Sequence, residues 1–160
     1  MTDFTLKYFG DQALLVEGPK TIDVAVNQKL IALKQQLETT FSDADLEVVC
    51  TYQSMAVYAK SKPLVKQLYN TLGQWIREDD LEVKSTKTKT VRIPVCYDAS
   101  LGWDMDKVAQ KAKIDPEEVV RKHTAPKYHV YFIGFLPGFP YLGGLDPSIA
   151  TPRLTSPRRE

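Results

Sequence analysis

The chain has 160 residues, of which 43% are hydrophobic and 10% aromatic, and it carries 21 basic and 20 acidic side chains. This apolar content supports a folded core and excludes a disordered chain, and a net charge of +1 gives no electrostatic reason to expect nucleic acid or membrane binding. No apolar run reaches membrane-spanning length and residues 1–4 do not begin like a signal peptide, so we expect a soluble cytoplasmic protein.

The first elements are two short strands and a helix. Strands are predicted over residues 5–8 and 13–17, with Gly10 and Asp11 in the turn between them. A helix is predicted over 22–41 with Thr21 as its N-cap. Its apolar residues recur at three- and four-residue steps, as on one face of an amphipathic helix. This face comprises Ile22, Val26, Leu30, Leu33, Leu37 and Phe41.

A second set of strands and a second helix follow. Strands are predicted over 46–52 and 55–59, a helix begins at Ser61 and Pro63, and another strand starts near Leu81. The predicted buried face of this helix is Leu64, Leu68, Leu72, Trp75 and Ile76. The order resembles the split β-α-β, ferredoxin-like plan, in which two helices cover one face of an antiparallel sheet. The predicted fold class is therefore α+β.

A lysine-rich segment separates the two halves of the chain. Residues 82–91 alternate lysine with serine and threonine, which fits either a phosphate-binding edge or a solvated connecting strand protected by its lysines. We favour the connecting strand, because the acidic residues at 78–80 and 82 cancel a basic field. The predicted domains are residues 1–88 and 89–160.

Two short helices are predicted in the second half, over 104–112 and 115–123. Asp115 is the expected N-cap of the second, with Pro116 at its first position and Glu118 at its third. The pair superficially resembles a DNA-reading helix-turn-helix, but its second helix begins with carboxylates that phosphate would repel. A helical connector is the favoured interpretation, and no nucleic acid partner is expected.

Candidate chemistry is sparse. His129 lies in a predicted strand, where a lone histidine is usually structural, while His123 ends a helix, where a protonated imidazole is favoured. Cys50 and Cys96 lie in strand-like runs and are expected to behave as small buried hydrophobes. No metal spacing, nucleophile elbow or phosphate-binding Gly-Lys loop occurs in the sequence.

The most distinctive stretch is residues 128–147, which begins as an aromatic strand and breaks into glycine and proline. Half of the eight glycines lie between positions 134 and 144, interleaved with Phe135, Phe139 and Tyr141. Glycine admits positive φ and proline fixes φ, so this is a rigid irregular loop. It is either a binding loop or a tight turn whose aromatic rings enter the core.

The last ten residues contain Pro-Arg twice, at Arg153 and Arg158. The guanidinium fork suits a carboxylate or phosphate, and a preceding proline restricts where the fork can go. An exposed basic tail is the alternative.

Residues 134–146, GFLPGFPYLGGLD, followed by the two Pro-Arg pairs, closely resemble the signature of one family. This family contains allophanate hydrolase subunit 1, the kinase inhibitor KipI and the 5-oxoprolinase component PxpB. The resemblance extends to residues 10–16, 93–97, 123–124 and 128–130, and so covers nearly the whole chain. It implies a small α/β N-terminal domain followed by a cyclophilin-like β-barrel. Family members continue beyond the second Pro-Arg, so we expect a partial barrel and a C-terminally truncated chain.

The resemblance also implies a function and partners. The PxpB type acts with a PxpC-type protein (the counterpart of allophanate hydrolase subunit 2) and a PxpA-type protein in the ATP-dependent opening of 5-oxo-L-proline to L-glutamate. We therefore expect ATP to act through the complex, and no metal site. The alternatives are a KipI-like inhibitor of a sensor histidine kinase and a subunit related to allophanate hydrolase or urea carboxylase.

Site residues follow from the same resemblance. His123 is expected to act as an acid/base or substrate-orienting group, and Arg153 and Arg158 to contact anions. Substrate or partner binding is assigned to Tyr128, Gly134, Phe135, Pro137, Gly138, Phe139, Tyr141, Leu142 and Gly144.

Overall fold

The computed structural model describes residues 4–42, 45–78 and 89–156. It divides the chain into two compact units. The first comprises residues 1–87 and 130–141, and the second residues 88–129 and 142–160.

The first unit contains a four-stranded antiparallel sheet. Its strands are β1 (Thr5–Tyr8), β2 (Ala13–Glu17), β3 (Leu46–Cys50) and β4 (Ser54–Ala59), in the order β1-β2-β4-β3. Leu14 lies opposite Val57, and Val57 lies opposite Val48, so the three side chains share one face. All three are buried, which fixes the register of the central strands.

Two 17-residue helices, α1 (Val24–Thr40) and α2 (Lys62–Glu78), contribute to the same core. The predicted start of α1 is wrong. Asp23 is the N-cap, because its carboxylate accepts hydrogen bonds from the backbone N–H groups of Ala25 (2.8 Å) and Val26 (3.0 Å). Thr21 and Ile22 therefore precede the helix, and the Ile22 side chain is exposed.

The predicted core of this unit is otherwise confirmed in its central positions. Leu30, Leu33 and Leu37 of α1 and Leu68 and Leu72 of α2 are fully buried. Phe41, Leu64, Trp75 and Ile76 are partly buried against this cluster. The α+β class is confirmed, while the strand predicted near Leu81 and most of the lysine-rich segment lie outside the described residues.

The second unit contains two short helices, α3 (Met105–Ala112) and α4 (Pro116–Thr124), and a 3-10 helix (Pro147–Ile149). The predicted cap of α4 is confirmed, since the Asp115 carboxylate accepts a hydrogen bond from the Glu118 N–H at 2.7 Å. Among the described residues, the buried core of this unit is small and contains Ala109, Val119 and Ile149. No closed barrel is formed by the described residues between 89 and 156.

Residues 129–143, which belong in part to each unit, form a hairpin. Its strands, β5 (His129–Ile133) and β6 (Pro140–Gly143), form a two-stranded sheet. Further upstream, the strand-like environment expected for Cys96 is wrong. Residues 91–96 have no regular secondary structure and their side chains are exposed, since no strand among the described residues pairs with them.

Candidate functional site

The glycine-proline stretch forms the turn of the β5-β6 hairpin. The Gly134 N–H donates to the Phe139 carbonyl at 3.1 Å, and the Phe139 N–H donates to the Leu136 carbonyl at 3.0 Å. The Leu136 N–H in turn donates to the Gly134 carbonyl at 2.8 Å. Three backbone hydrogen bonds within six residues hold this turn in one shape.

The tip of the turn is strained and apolar. Phe135 has φ +67°, a left-handed conformation that bulky side chains rarely adopt, and Gly138 has φ +78°. Phe135 is 82% exposed, Leu136 58% and Phe139 45%. The interpretation in which these phenylalanines enter the core is therefore wrong, because their rings face solvent in this unit.

Behind the tip the rings stack on each other. Phe132 lies against Tyr141 with centroids 4.1 Å apart and planes 11° from parallel, and Phe139 meets Tyr141 edge to face at 5.3 Å. Tyr52 contacts this stack through Phe132 at 5.2 Å and Tyr141 at 6.1 Å. The sequence pattern placed Tyr52 in a strand and gave no sign of this contact.

A second cluster surrounds His123, in the last turn of α4. The Tyr97 hydroxyl and His123 Nδ1 are joined by a hydrogen bond, and the Tyr128 hydroxyl donates to the backbone carbonyl of His123 at 2.8 Å. The Tyr97 ring meets the imidazole edge-on at 5.9 Å, and the Tyr128 ring lies 5.7 Å from it. Burial raises the pKa of both phenols, so both keep their protons at neutral pH.

Lys122, the residue before His123 in α4, forms an ion pair with Asp146. Lys122 Nζ lies 2.9 Å from Asp146 Oδ2, and both side chains are more than half buried. Hydrogen bonds from the Ser148 hydroxyl, then from Lys122 and then from the Ser148 N–H, lower the pKa of Asp146 to about 2. The pair therefore holds residues 146–148 to α4 at neutral pH.

The predicted site residues fall into two groups. Gly134, Phe135, Pro137, Gly138, Phe139 and Tyr141 belong to the first unit, and His123, Tyr128, Leu142, Gly144 and Arg153 to the second. Gly144 has φ +109°, and an added Cβ would lie 3.2 Å from the Lys127 carbonyl oxygen, so this position requires glycine. Arg153 is exposed, and Arg158 lies outside the described residues.

Within the described residues the structure shows neither a three-ligand metal group nor a membrane-spanning helix. No group of three or more His, Cys, Asp or Glu side chains able to hold a metal ion occurs in the described residues. Nor does any helix in residues 4–42, 45–78 and 89–156 combine the length and apolar character needed to cross a bilayer.

Residues 4–160 match a family described as the carboxyltransferase domain, subdomain C and D. The chain belongs to this carboxyltransferase domain family. It is 30% identical to the B-type subunit of 5-oxoprolinase from Bacillus subtilis (strain 168), over 97% of this chain and 69% of that protein. It is 33% identical to the protein of the same name from Haemophilus influenzae, over 92% of this chain and 68% of that protein.

A solved structure of similar fold supports this assignment to the carboxyltransferase domain family. The crystal structure of TTHA0988 is 25% identical in sequence and superposes with a TM-score of 0.71. The match covers 92% of this chain and 27% of that chain, so the residues described here correspond to about a quarter of the larger protein.

Proposed function

We propose that the chain is the B-type (PxpB) subunit of an ATP-dependent 5-oxoprolinase, which opens 5-oxo-L-proline to L-glutamate. The observation that supports this most directly is the similarity to two proteins named as B-type subunits of 5-oxoprolinase, which extends over 97% and 92% of this chain. The residues that carry the resemblance lie within residues 4–160, which match the family.

Opening the ring requires that a stable amide be made reactive and that negatively charged oxygens be held. ATP would take part through the complex, since this sequence has no phosphate-binding Gly-Lys loop. In this proposal His123 serves as an acid/base or substrate-orienting group. Arg153 and Arg158 contact the carboxylate or a phosphorylated intermediate. The turn over 134–144 binds substrate or a partner.

The proposal includes partner subunits. A PxpC-type protein and a PxpA-type protein would complete the enzyme in the cytoplasm. The exposed rings of Phe135 and Phe139 support partner binding, because they are apolar and lie in contact with water in the chain alone. We also propose the ferredoxin-like description for residues 1–88 and the cyclophilin-like description for residues 89–160.

Reconstitution tests this proposal. The chain should co-purify with a PxpC-type protein, and with a PxpA-type protein added it should hydrolyse ATP in a 5-oxoproline-dependent manner. His123→Ala should lower kcat by about 100-fold or more, with His129→Ala as the matched histidine control. A complex that forms but does not turn over 5-oxoproline would rule the function out.

A second candidate is a KipI-like inhibitor of a sensor histidine kinase. The observation that favours it is the strained, 82% exposed Phe135 at the end of a hairpin, a geometry suited to docking on a helical surface. Inhibition of kinase autophosphorylation by this chain alone, lost in Phe135→Asn, would support it. Unchanged autophosphorylation at saturating chain concentration would exclude it.

A further inference from the structure

Tyr97 and His123 form a hydrogen bond between residues 26 positions apart. Tyr97 lies in the irregular segment before α3, while His123 ends α4. The bond joins the Tyr97 hydroxyl to Nδ1, so one of the two imidazole nitrogens is already engaged within the second unit. The described ranges supply no hydrogen-bond partner to the other nitrogen, Nε2.

The direction of this bond follows from the two groups. A phenol is a far stronger acid than the N–H of a neutral imidazole, and a neutral imidazole nitrogen is a good acceptor. Burial raises the pKa of Tyr97, which keeps the hydroxyl proton in place across neutral pH. The hydroxyl therefore donates and Nδ1 accepts.

A second tyrosine contacts the same residue. The Tyr128 hydroxyl donates to the His123 backbone carbonyl, and its ring lies 5.7 Å from the imidazole. The charged neighbours on the surrounding elements, Lys122 and Asp146, are paired with each other at 2.9 Å. Neither charge is left to compete with Tyr97 for Nδ1.

We propose that Tyr97 is a positioning residue that holds the neutral His123 imidazole as its Nε2–H tautomer. With Nδ1 occupied, the group that faces a ligand is an N–H donor and not a base. Its ligand is an oxygen acceptor, such as the carbonyl of a cyclic amide or a carboxylate. This choice between orienting and base catalysis at His123 rests on the proposed function, whereas the tautomer itself does not.

Nitrogen NMR of the full chain tests the tautomer without any activity. The chain has two histidines, so His123→Gln assigns the signals by their disappearance. In the neutral imidazole of His123, Nε2 should be protonated and Nδ1 unprotonated. Tyr97→Phe should raise the Nδ1–H fraction several-fold, because it removes the donor and keeps the ring. Tyr128→Phe, which loses a bond to the backbone alone, should leave the tautomer unchanged.

Two results would overturn the tautomer claim: a wild-type Nδ1–H tautomer as the major form, or identical tautomer populations in wild type and Tyr97→Phe. Circular dichroism of Tyr97→Phe verifies that its fold is kept. Should the phenylalanine variant not fold, the wild-type spectrum still decides, since it reports the tautomer directly.

Kinetics of the reconstituted complex tests the donor role. Tyr97→Phe should lower kcat roughly tenfold, and His123→Gln, which keeps an N–H donor, should retain more activity than His123→Ala. Equal loss in both His123 variants would overturn the donor role. A wild-type complex without 5-oxoproline-dependent ATP hydrolysis would instead refute the proposed function, and the NMR result would stand apart from it.

Discussion

The two units of this chain differ most in how they are held together. The first has a continuous apolar core supplied by two long helices and the strands β2, β3 and β4. Among the described residues, the second has a smaller core, in which Met105, Val108, Ala112 and Ile114 pack partly buried against the buried Ala109, Val119 and Ile149. Burial of apolar area is the main stabilising term in folding, so the first unit should hold most of the chain's stability.

Two polar contacts support the small core of the second unit. The Lys122–Asp146 pair and a bond from Lys111 Nζ to the Ala150 carbonyl, at 2.8 Å, both hold the segment around the 3-10 helix. The same unit leaves Ile93 and Trp103 exposed. The second unit therefore has less apolar burial of its own to stabilise it than the first.

The largest expected effect comes from shortening a core side chain in each unit. Leu30→Ala should lower the free energy of unfolding by about 2–5 kcal/mol, and Val119→Ala by about 1–2 kcal/mol. Leu30 is fully buried among side chains of its own unit, whereas Val119 has few apolar neighbours. Urea unfolding measures both changes.

Each unit contains one of the two tryptophans, so the unfolding of each unit can be followed separately. Trp75 lies in α2 and Trp103 just before α3, so Trp103→Phe leaves a reporter for the first unit and Trp75→Phe one for the second. Equal destabilisation by Leu30→Ala and Val119→Ala, each read in its own unit, would contradict the contrast between the two cores.

The sequence predicted best where local rules and burial agree. Leu30, Leu33 and Leu37 recur at helical spacing and are buried, and the Asp115 cap formed because its carboxylate directly precedes Pro116 at the helix start. The N-cap of α1 was misplaced because Thr21 and Asp23 are both good capping residues, and the choice depended on backbone geometry at Asp23.

Contacts between distant residues could not be predicted from the same rules. Nothing in the spacing of Tyr97 and His123, or of Tyr52 and Tyr141, indicates that their side chains meet. The positive φ of Phe135 could not be predicted either, since glycine indicates such a conformation and phenylalanine does not. The site residues were proposed from resemblance, and their contacts could be described only from the structure.

A substitution at Phe135 should change the stability of the first unit and its association with a partner in opposite directions. Phe135→Asn should raise the free energy of unfolding by about 1 kcal/mol, because asparagine tolerates the left-handed conformation and the lost ring was exposed. Co-purification with the PxpC-type partner should weaken in the same variant. Urea unfolding with the Trp75 reporter measures the first change. Phe4→Leu, a partly buried ring in the same unit, is the control that should lose stability without weakening association.

The smallest expected effect concerns acid stability of the second unit. The pKa of Asp146 is lowered from 3.8 to about 2 in the folded chain, so its contribution is present above pH 3.8 and is lost as the pH falls toward 2. The urea midpoint reported by Trp103 should fall across this range, and Asp146→Asn should flatten that dependence. Asp106→Asn, an exposed carboxylate of α3, should keep the wild-type slope. A wild-type slope in Asp146→Asn as well would mean that other carboxylates hold the 3-10 helix to α4.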